Sequence, residues 1–310
     1  MERPNPGTAE AIDCARATDF WKGAIDLHCH VNPHVRPEIH AQTALEYARQ
    51  GRDVGMQAIV LKDIGPPTTG TAAVVNGLVD GIQVFGSLVL NRCNGGLNPQ
   101  AVATALAHGD GARIVFMPTG DSRHHALRRE GFYAGVNPPL SPADAITIFR
   151  DGRIVPEVYE ILDLIAAADR CLATAHLSPE EVMALVPAAR ERGVRRIIVS
   201  HALWKMLGYS PEQLRQLVAS GALLEIEFCT YTPLMYFIHN EPPLDIRYAV
   251  ETMRAIGAER VFLASDLGQA YAPLPVEGYR MFLAALLKCG VTDKEIALMT
   301  HDNPAMLLGL

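Results

Sequence analysis

Short apolar runs alternate with amphipathic stretches along the chain from residue 23 onward. The runs fall at 24–28, 57–62, 82–90, 112–117, 170–175, 195–200, 222–228 and 260–265. They lack strict apolar-polar alternation, as strands covered on both faces do. Helical periodicity follows most of them, over 41–52, 71–79, 99–108, 157–168, 179–192, 211–220, 244–256 and 277–289. Eight strand-helix units in 310 residues predict a (β/α)8 TIM barrel, which typically occupies about 250 residues or more. An open, doubly wound sheet is the alternative arrangement of the same elements. Neither a linker nor a sequence repeat divides the chain, so residues 1–310 are read as a single domain.

The largest irregular stretch, 118–156, follows the fourth strand. It holds Asn137-Pro138-Pro139 and, over 146–154, two short arms about Asp151-Gly152, a pair suited to a tight hairpin turn. An insertion there lies at the barrel mouth, where such folds bind small molecules. It is expected to form a lid or part of a subunit interface, which leaves a homo-oligomer open. A final helix over 293–299 and the tail 303–308 are expected to cap the outer layer.

Composition narrows the class. With 49% hydrophobic and 20% charged residues, the chain can bury a large core and carries no mark of disorder. A net charge of −7 and a pI near 5.9 argue against a nucleic-acid partner, whose phosphates call for a basic face. The first twenty residues lack a basic start followed by an apolar stretch, so no signal peptide is expected. No apolar run approaches the roughly 18 to 20 residues that cross a bilayer. Cys14, Cys29, Cys93, Cys171, Cys229 and Cys289 show no paired spacing and read as reduced thiols of a cytoplasmic protein.

The chemistry concentrates where apolar runs end. Asp26-Leu27-His28-Cys29-His30 closes the first run, and in a strand His28 and His30 share one face while Cys29 turns away. Two imidazoles on one rigid face make half of a divalent-metal site. The fifth run leads into His176, the sixth into His201 and the eighth into Asp266. In a barrel these ends open on one side, so residues remote in sequence converge. Satisfied core polar groups, and a helix N-cap for Asp266, are the plainer readings.

This pattern resembles the amidohydrolase superfamily over residues 23 to 310: His-x-His after the first strand, His after the fifth and sixth, Asp after the eighth. More narrowly, Ala58-Ile59-Val60-Leu61-Lys62, Val89-Leu90-Asn91-Arg92 with Gly95-Gly96-Leu97-Asn98-Pro99, Ser265-Asp266-Leu267-Gly268-Gln269 and Asn303-Pro304-Ala305 are similar to an uncharacterised amidohydrolase-like subfamily. The resemblance implies a metal-dependent hydrolase with His28, His30, His176, His201 and Asp266 as ligands of zinc, or of manganese, iron or cobalt. Asp266, with His201, would then carry the catalysis: a metal-activated water attacks an amide, cyclic amide, lactone or ester-like bond, and Asp266 takes its proton and returns it to the leaving group.

Lys62 decides the metal count. In the superfamily a carbamylated lysine often bridges two ions, but from the fourth strand, and here the run 112–117 has no lysine. One divalent ion with neutral histidines and ionised Asp266 leaves one positive charge, and two ions leave three. A carbamate on Lys62 plus a bridging hydroxide returns that to one. Otherwise Lys62 pairs with substrate or with Asp63.

Substrate contacts are expected from Asn91 and Arg92 after the third strand, Thr119 after the fourth, Tyr231 after the seventh and Gln269 after the eighth. The same loops hold Asn94, Asp121, Arg123, His124 and Tyr271, while His34 and His40 are expected at the mouth after the first strand. His108, His239 and His301 read as surface or packing residues. A non-oxidative decarboxylase, with Arg92 gripping a carboxylate, is the enzymatic alternative. A non-catalytic metal- or ligand-binding protein is another. No Gly-x-Ser-x-Gly turn or phosphate-binding glycine motif supports a serine hydrolase or a nucleotide enzyme.

Overall fold

A computed structural model describes residues 14–35, 40–128, 140–235 and 240–310. Eight parallel strands, each side by side with the next in sequence, form the barrel sheet. They are β1 (Ile25–Cys29), β2 (Ala58–Leu61), β3 (Gln83–Val89), β4 (Ala112–Phe116), β5 (Cys171–Ala173), β6 (Arg196–Val199), β7 (Leu223–Glu227) and β8 (Val261–Ala264). The sheet closes past the end of β8, where the Asp266 N–H donates to His28 O at 2.8 Å and the His30 N–H to Leu267 O at 2.8 Å. An open doubly wound sheet would leave those two edges apart.

The strands are buried on both faces because helices cover the outside and side chains fill the inside. Four of the covering helices start in a capping box, with Thr43, Ser178, Ser210 and Thr292 each exchanging bonds with the residue three further on. Proline in the first turn adds to Ser178 and Ser210 by fixing φ where no N–H is needed.

Two departures from the sequence pattern have local causes. The expected helix over 293–299 stops at Ala297 and widens into a π turn, Leu298–Asp302, before Asn303–Leu308. Pro304 has no N–H to continue the α ladder. The Asn303 amide then donates to Ala258 O (2.8 Å) and Val261 O (2.6 Å), pinning the tail to the start of β8. In the insertion, Phe149–Arg150 and Arg153–Ile154 pair as the hairpin about Asp151-Gly152, both turn residues having positive φ. Asn137-Pro138-Pro139 and His239 lie outside the described residues. Among the described residues no helix is long and apolar enough to cross a membrane, and Cys29, Cys93, Cys171, Cys229 and Cys289 are free thiols.

Candidate metal centre

The β1 pleat puts Asp26 and His28 on its inward face, and His30 follows at the strand end. Lys62 is the residue after β2, while His176, His201 and Asp266 sit two or three residues beyond β5, β6 and β8. Ala175, His201 and Asp266 all have φ of 49°, a left-handed conformation that costs non-glycine residues free energy and that turns the chain sharply at three strand ends.

Atoms of four of these residues converge. His28 Nε2 and His30 Nε2 are 3.2 Å apart, and Asp266 Oδ1 is 3.0 Å from each. Tetrahedral ligands about 2.0 to 2.1 Å from a shared ion would be separated by about 3.3 Å, so the triangle has the edges of a coordination shell. Lys62 Nζ is 2.8 Å from His28 Nε2 and 4.9 Å from the Phe116 ring centroid. Asp63 instead accepts the N–H groups of Val35 and Gly65 at 3.0 and 2.8 Å, and among the described residues no carboxylate oxygen lies within ion-pair distance of Lys62. His201, with Nδ1 3.9 Å from Asp266 Oδ2, completes a second possible ligand set with His28 and Asp266. His176 stands behind it, its ring centroid 5.2 Å from that of His201.

Glu225 holds His28 from behind, whereas Glu227 meets His201 at Nδ1, the nitrogen that also lies nearest Asp266. Glu225 Oε1 is 2.8 Å from His28 Nδ1, and Glu227 Oε1 is 3.2 Å from His201 Nδ1. A carboxylate on one ring nitrogen fixes the ring and makes the other nitrogen a better ligand. His125 does the same for His176 across a 2.9 Å Nδ1 to Nδ1 hydrogen bond, and the Cys229 thiol donates to Asp266 Oδ2 at 3.1 Å. Asp26, deeper in the barrel, accepts from Ser265 Oγ (2.5 Å), Ser265 N (3.0 Å), Tyr47 Oη (2.9 Å) and His28 N (3.2 Å). That network joins β1 to the end of β8.

The electrostatics favour a bound cation. Burial pushes the His28 imidazole down, but Asp266, opposed by Lys62 and joined by Glu225, holds it up at about 9. Burial pushes neighbouring His30 down to about 3, so one proton serves two imidazoles that face the same carboxylate. Burial drives Asp266 up, yet His28 and the hydrogen bonds from both histidines hold it well below the usual carboxylate range. Lys62 is lowered by burial against the pull of Asp266 and Glu225. Counted formally, with His28 neutral as a metal ligand must be, the buried carboxylates of Asp266, Glu225 and Glu227 exceed the Lys62 ammonium by two charges, the deficit that one divalent ion fills as it displaces the His28 proton.

The expected substrate residues part company. Asn91 and Thr119 bond to each other: the Asn91 amide donates to Thr119 Oγ1 (2.8 Å) and Ile64 O (2.9 Å) while its Oδ1 accepts the Thr119 N–H (2.9 Å). Arg92 is exposed and lines an open cavity of about 550 Å³ with Asp144, Phe149, Arg150 and Glu157, whose lining includes none of the converging residues. Tyr231 Oη and Gln269 Oε1 are buried without a hydrogen-bond partner among the described residues. Such atoms cost about 1 to 3 kcal/mol unless water or a ligand satisfies them. His124 Nε2 is spent on Met206 O at 3.0 Å, and Asp121 accepts the Arg92 N–H at 2.8 Å.

Sequence reasoning missed Glu225, Glu227, His125, Cys229 and Trp204, whose ring faces His176 and His201 with centroids 5.4 and 5.5 Å away. For the glutamates a signal existed: two acids two residues apart inside an apolar strand share its inward face and cannot both be left unpaired.

The fold is shared with proteins of low identity. The organophosphorus hydrolase from Deinococcus radiodurans superposes with a TM-score of 0.56 at 16% identity, over 94% of each chain. The phosphotriesterase homology protein from Escherichia coli, complexed with phosphate in its active site, gives 0.58 at 13%, over 93% of this chain and 99% of that one. A 2,6-dihydroxybenzoate decarboxylase complexed with 2,6-dihydroxybenzoate gives 0.53 at 9%, over 93% and 100%. No curated protein matches the sequence. Residues 23–225 match a family described as a family of unknown function (DUF6282), and the chain belongs to that family.

Proposed function

We propose that this protein is a metal-dependent hydrolase of the amidohydrolase superfamily, acting on an amide, cyclic amide, lactone or other ester-like bond of a small molecule. The observation that carries the reading is the triangle of His28 Nε2, His30 Nε2 and Asp266 Oδ1, with edges of 3.0 to 3.2 Å, backed by Glu225 on the far side of His28. Zinc suits a set of imidazoles and one carboxylate; manganese, iron or cobalt are the other candidates. His28, His30 and Asp266 would hold one ion, and a second would fall to His201 with Lys62 once carbamylated, His176 standing beside them. Such an ion supplies Lewis acidity, polarising a carbonyl or phosphoryl oxygen and lowering the pKa of water towards about 7.

The chain's own groups do the rest. Asp266, held ionised, accepts the proton of the attacking water and returns it to the leaving group. The Cys229 thiol, pushed up by burial, stays protonated and fixes the second oxygen of that carboxylate. Glu225 keeps His28, and Glu227 keeps His201, in the required orientation. Tyr231 and Gln269 offer substrate the buried polar atoms that lack partners among the described residues.

The decarboxylase reading draws support from the 2,6-dihydroxybenzoate decarboxylase that shares the fold. Its expected carboxylate clamp, Arg92, faces solvent and a separate cavity, which favours hydrolysis. Protein loaded with zinc, manganese or cobalt is to be assayed against lactones, carboxylesters, cyclic amides, phosphotriesters and hydroxybenzoates. The expected result is turnover of a hydrolysable class, reduced about 10²- to 10⁴-fold in Asp266→Asn with the fold retained and metal more weakly held. Release of carbon dioxide alone, or full activity in Asp266→Asn, overturns the reading.

A further inference from the structure

We propose that His30, His34 and His40 form a second metal site at the barrel rim, beside the His28–His30–Asp266 centre. All three are buried, and a ring nitrogen of each lies within 4.8 Å of a ring nitrogen of both others. The His34 and His40 rings are 3.9 Å apart between centroids at a tilt of 34°, with His30 5.5 and 6.2 Å from them. Asp63 Oδ1 lies 3.5 Å from His34 Nε2, which puts a carboxylate charge beside the cluster.

The frame that presents these rings is fixed by backbone bonds. The Asn32 N–H donates to Gln42 O (2.9 Å), the Ala44 N–H to Asn32 O (2.7 Å) and the Ala41 N–H to Gly268 O (2.8 Å). Asp63 takes the Val35 N–H on Oδ2 and the Gly65 N–H on Oδ1. The loop after β1 is thereby tied to the ends of both β2 and β8. Ring packing alone gives no reason for three imidazoles, since apolar side chains would fill the space without burying polar nitrogens. The neutral imidazoles of His34 and His40 with a nearby carboxylate suit a borderline ion such as zinc, cobalt, nickel or copper. His30, when its Nε2 also holds the inner ion, would serve both ions as an imidazolate, its ring proton leaving to solvent. An ion there would clamp the loop to the rim and stand next to the inner centre through their common residue, His30.

The site rests on the reading of the inner centre only through His30, and the test separates the two. Full-length protein loaded with excess zinc and freed of unbound metal by gel filtration is analysed by plasma mass spectrometry, as wild type, as His34→Ala/His40→Ala and as Asp266→Asn. The double variant is expected to carry one zinc fewer than wild type, and Asp266→Asn to lose the inner zinc while keeping the outer one. An unchanged zinc content in the folded double variant overturns the outer site, whereas an unchanged content in Asp266→Asn counts against the inner centre alone. Should the double variant fail to fold, anomalous diffraction at the zinc edge from zinc-soaked wild-type crystals decides: a peak bonded to both His34 and His40 is expected, and its absence overturns the site.

Discussion

Glu225 joins the ends of β1 and β6: Oε1 lies 2.8 Å from His28 Nδ1, and Oε2 accepts the His201 backbone N–H at 3.1 Å. One buried carboxylate thus sets both the ring of one proposed ligand and the left-handed turn that delivers another.

Replacing it is therefore expected to loosen the metal more than the fold. Glu225→Gln keeps size and one acceptor but removes the charge behind His28. Loss of such an outer partner typically costs about 10- to 100-fold in metal affinity or activity. Competition with a chromophoric chelator measures the affinity, and a value equal to wild type would remove Glu225 from this role.

The barrel and its proposed inner ligands are legible in the sequence because both follow from one rule. Apolar runs buried on two faces announce the strands, and the polar residue that ends each run, as Asp266 ends 260–265, marks the mouth. Glu225 and Glu227 escape the rule because they lie inside their strand, where an acid reads as an exposed position until its histidine partners are known. His125 sits on the short helix Arg123–Arg128 within an irregular insertion, where no period assigns a face. The sequence puts Asn91 after the third strand and Thr119 after the fourth, but their hydrogen bonds to each other depend on how the loops after β3 and β4 meet.

That mutual bonding yields a second expectation. Asn91→Ala would leave Thr119 N, Thr119 Oγ1 and Ile64 O without the side chain that now satisfies them, in a buried setting. The cost is expected at about 1 to 3 kcal/mol, read by chemical denaturation. KM should move little beside it. A large rise in KM with stability intact would mean that Asn91 meets substrate directly.

Gly268 is a third point of leverage. Its φ is 135°, and a Cβ there would sit 1.4 Å from His30 O, a backbone atom that cannot step aside. Gly268→Ala is expected to shift the strand end carrying His30, lowering stability by about 1 to 3 kcal/mol and weakening metal binding. Gly152→Ala, also at positive φ but with nothing within 4 Å, is the control. It should cost about 1 to 2 kcal/mol and leave the metal untouched. Equal metal affinity in the two variants would show that the Gly268 approach does not position His30.

Lys62 links the metal count to a covalent change. With Lys62 as an ammonium, its charge and those of Asp266, Glu225 and Glu227 balance one divalent ion. Carbamylation turns that positive charge into a negative one, a change of two, so the same pocket then balances two ions. Burial lowers Lys62, which favours the neutral amine that attacks carbon dioxide, the displaced proton leaving to solvent. Protein loaded with two metal equivalents is therefore expected to carry the mass of one added carbon dioxide, and protein loaded with one equivalent is not. Lys62→Met should retain a single inner ion and show no adduct. Intact-mass spectrometry alongside metal analysis reads both quantities, with His34→Ala/His40→Ala as background to exclude the rim site. Two inner ions without the adduct would break the link, because a buried ammonium 2.8 Å from His28 Nε2 and two divalent ions would then exceed the charges of Asp266, Glu225 and Glu227 by two.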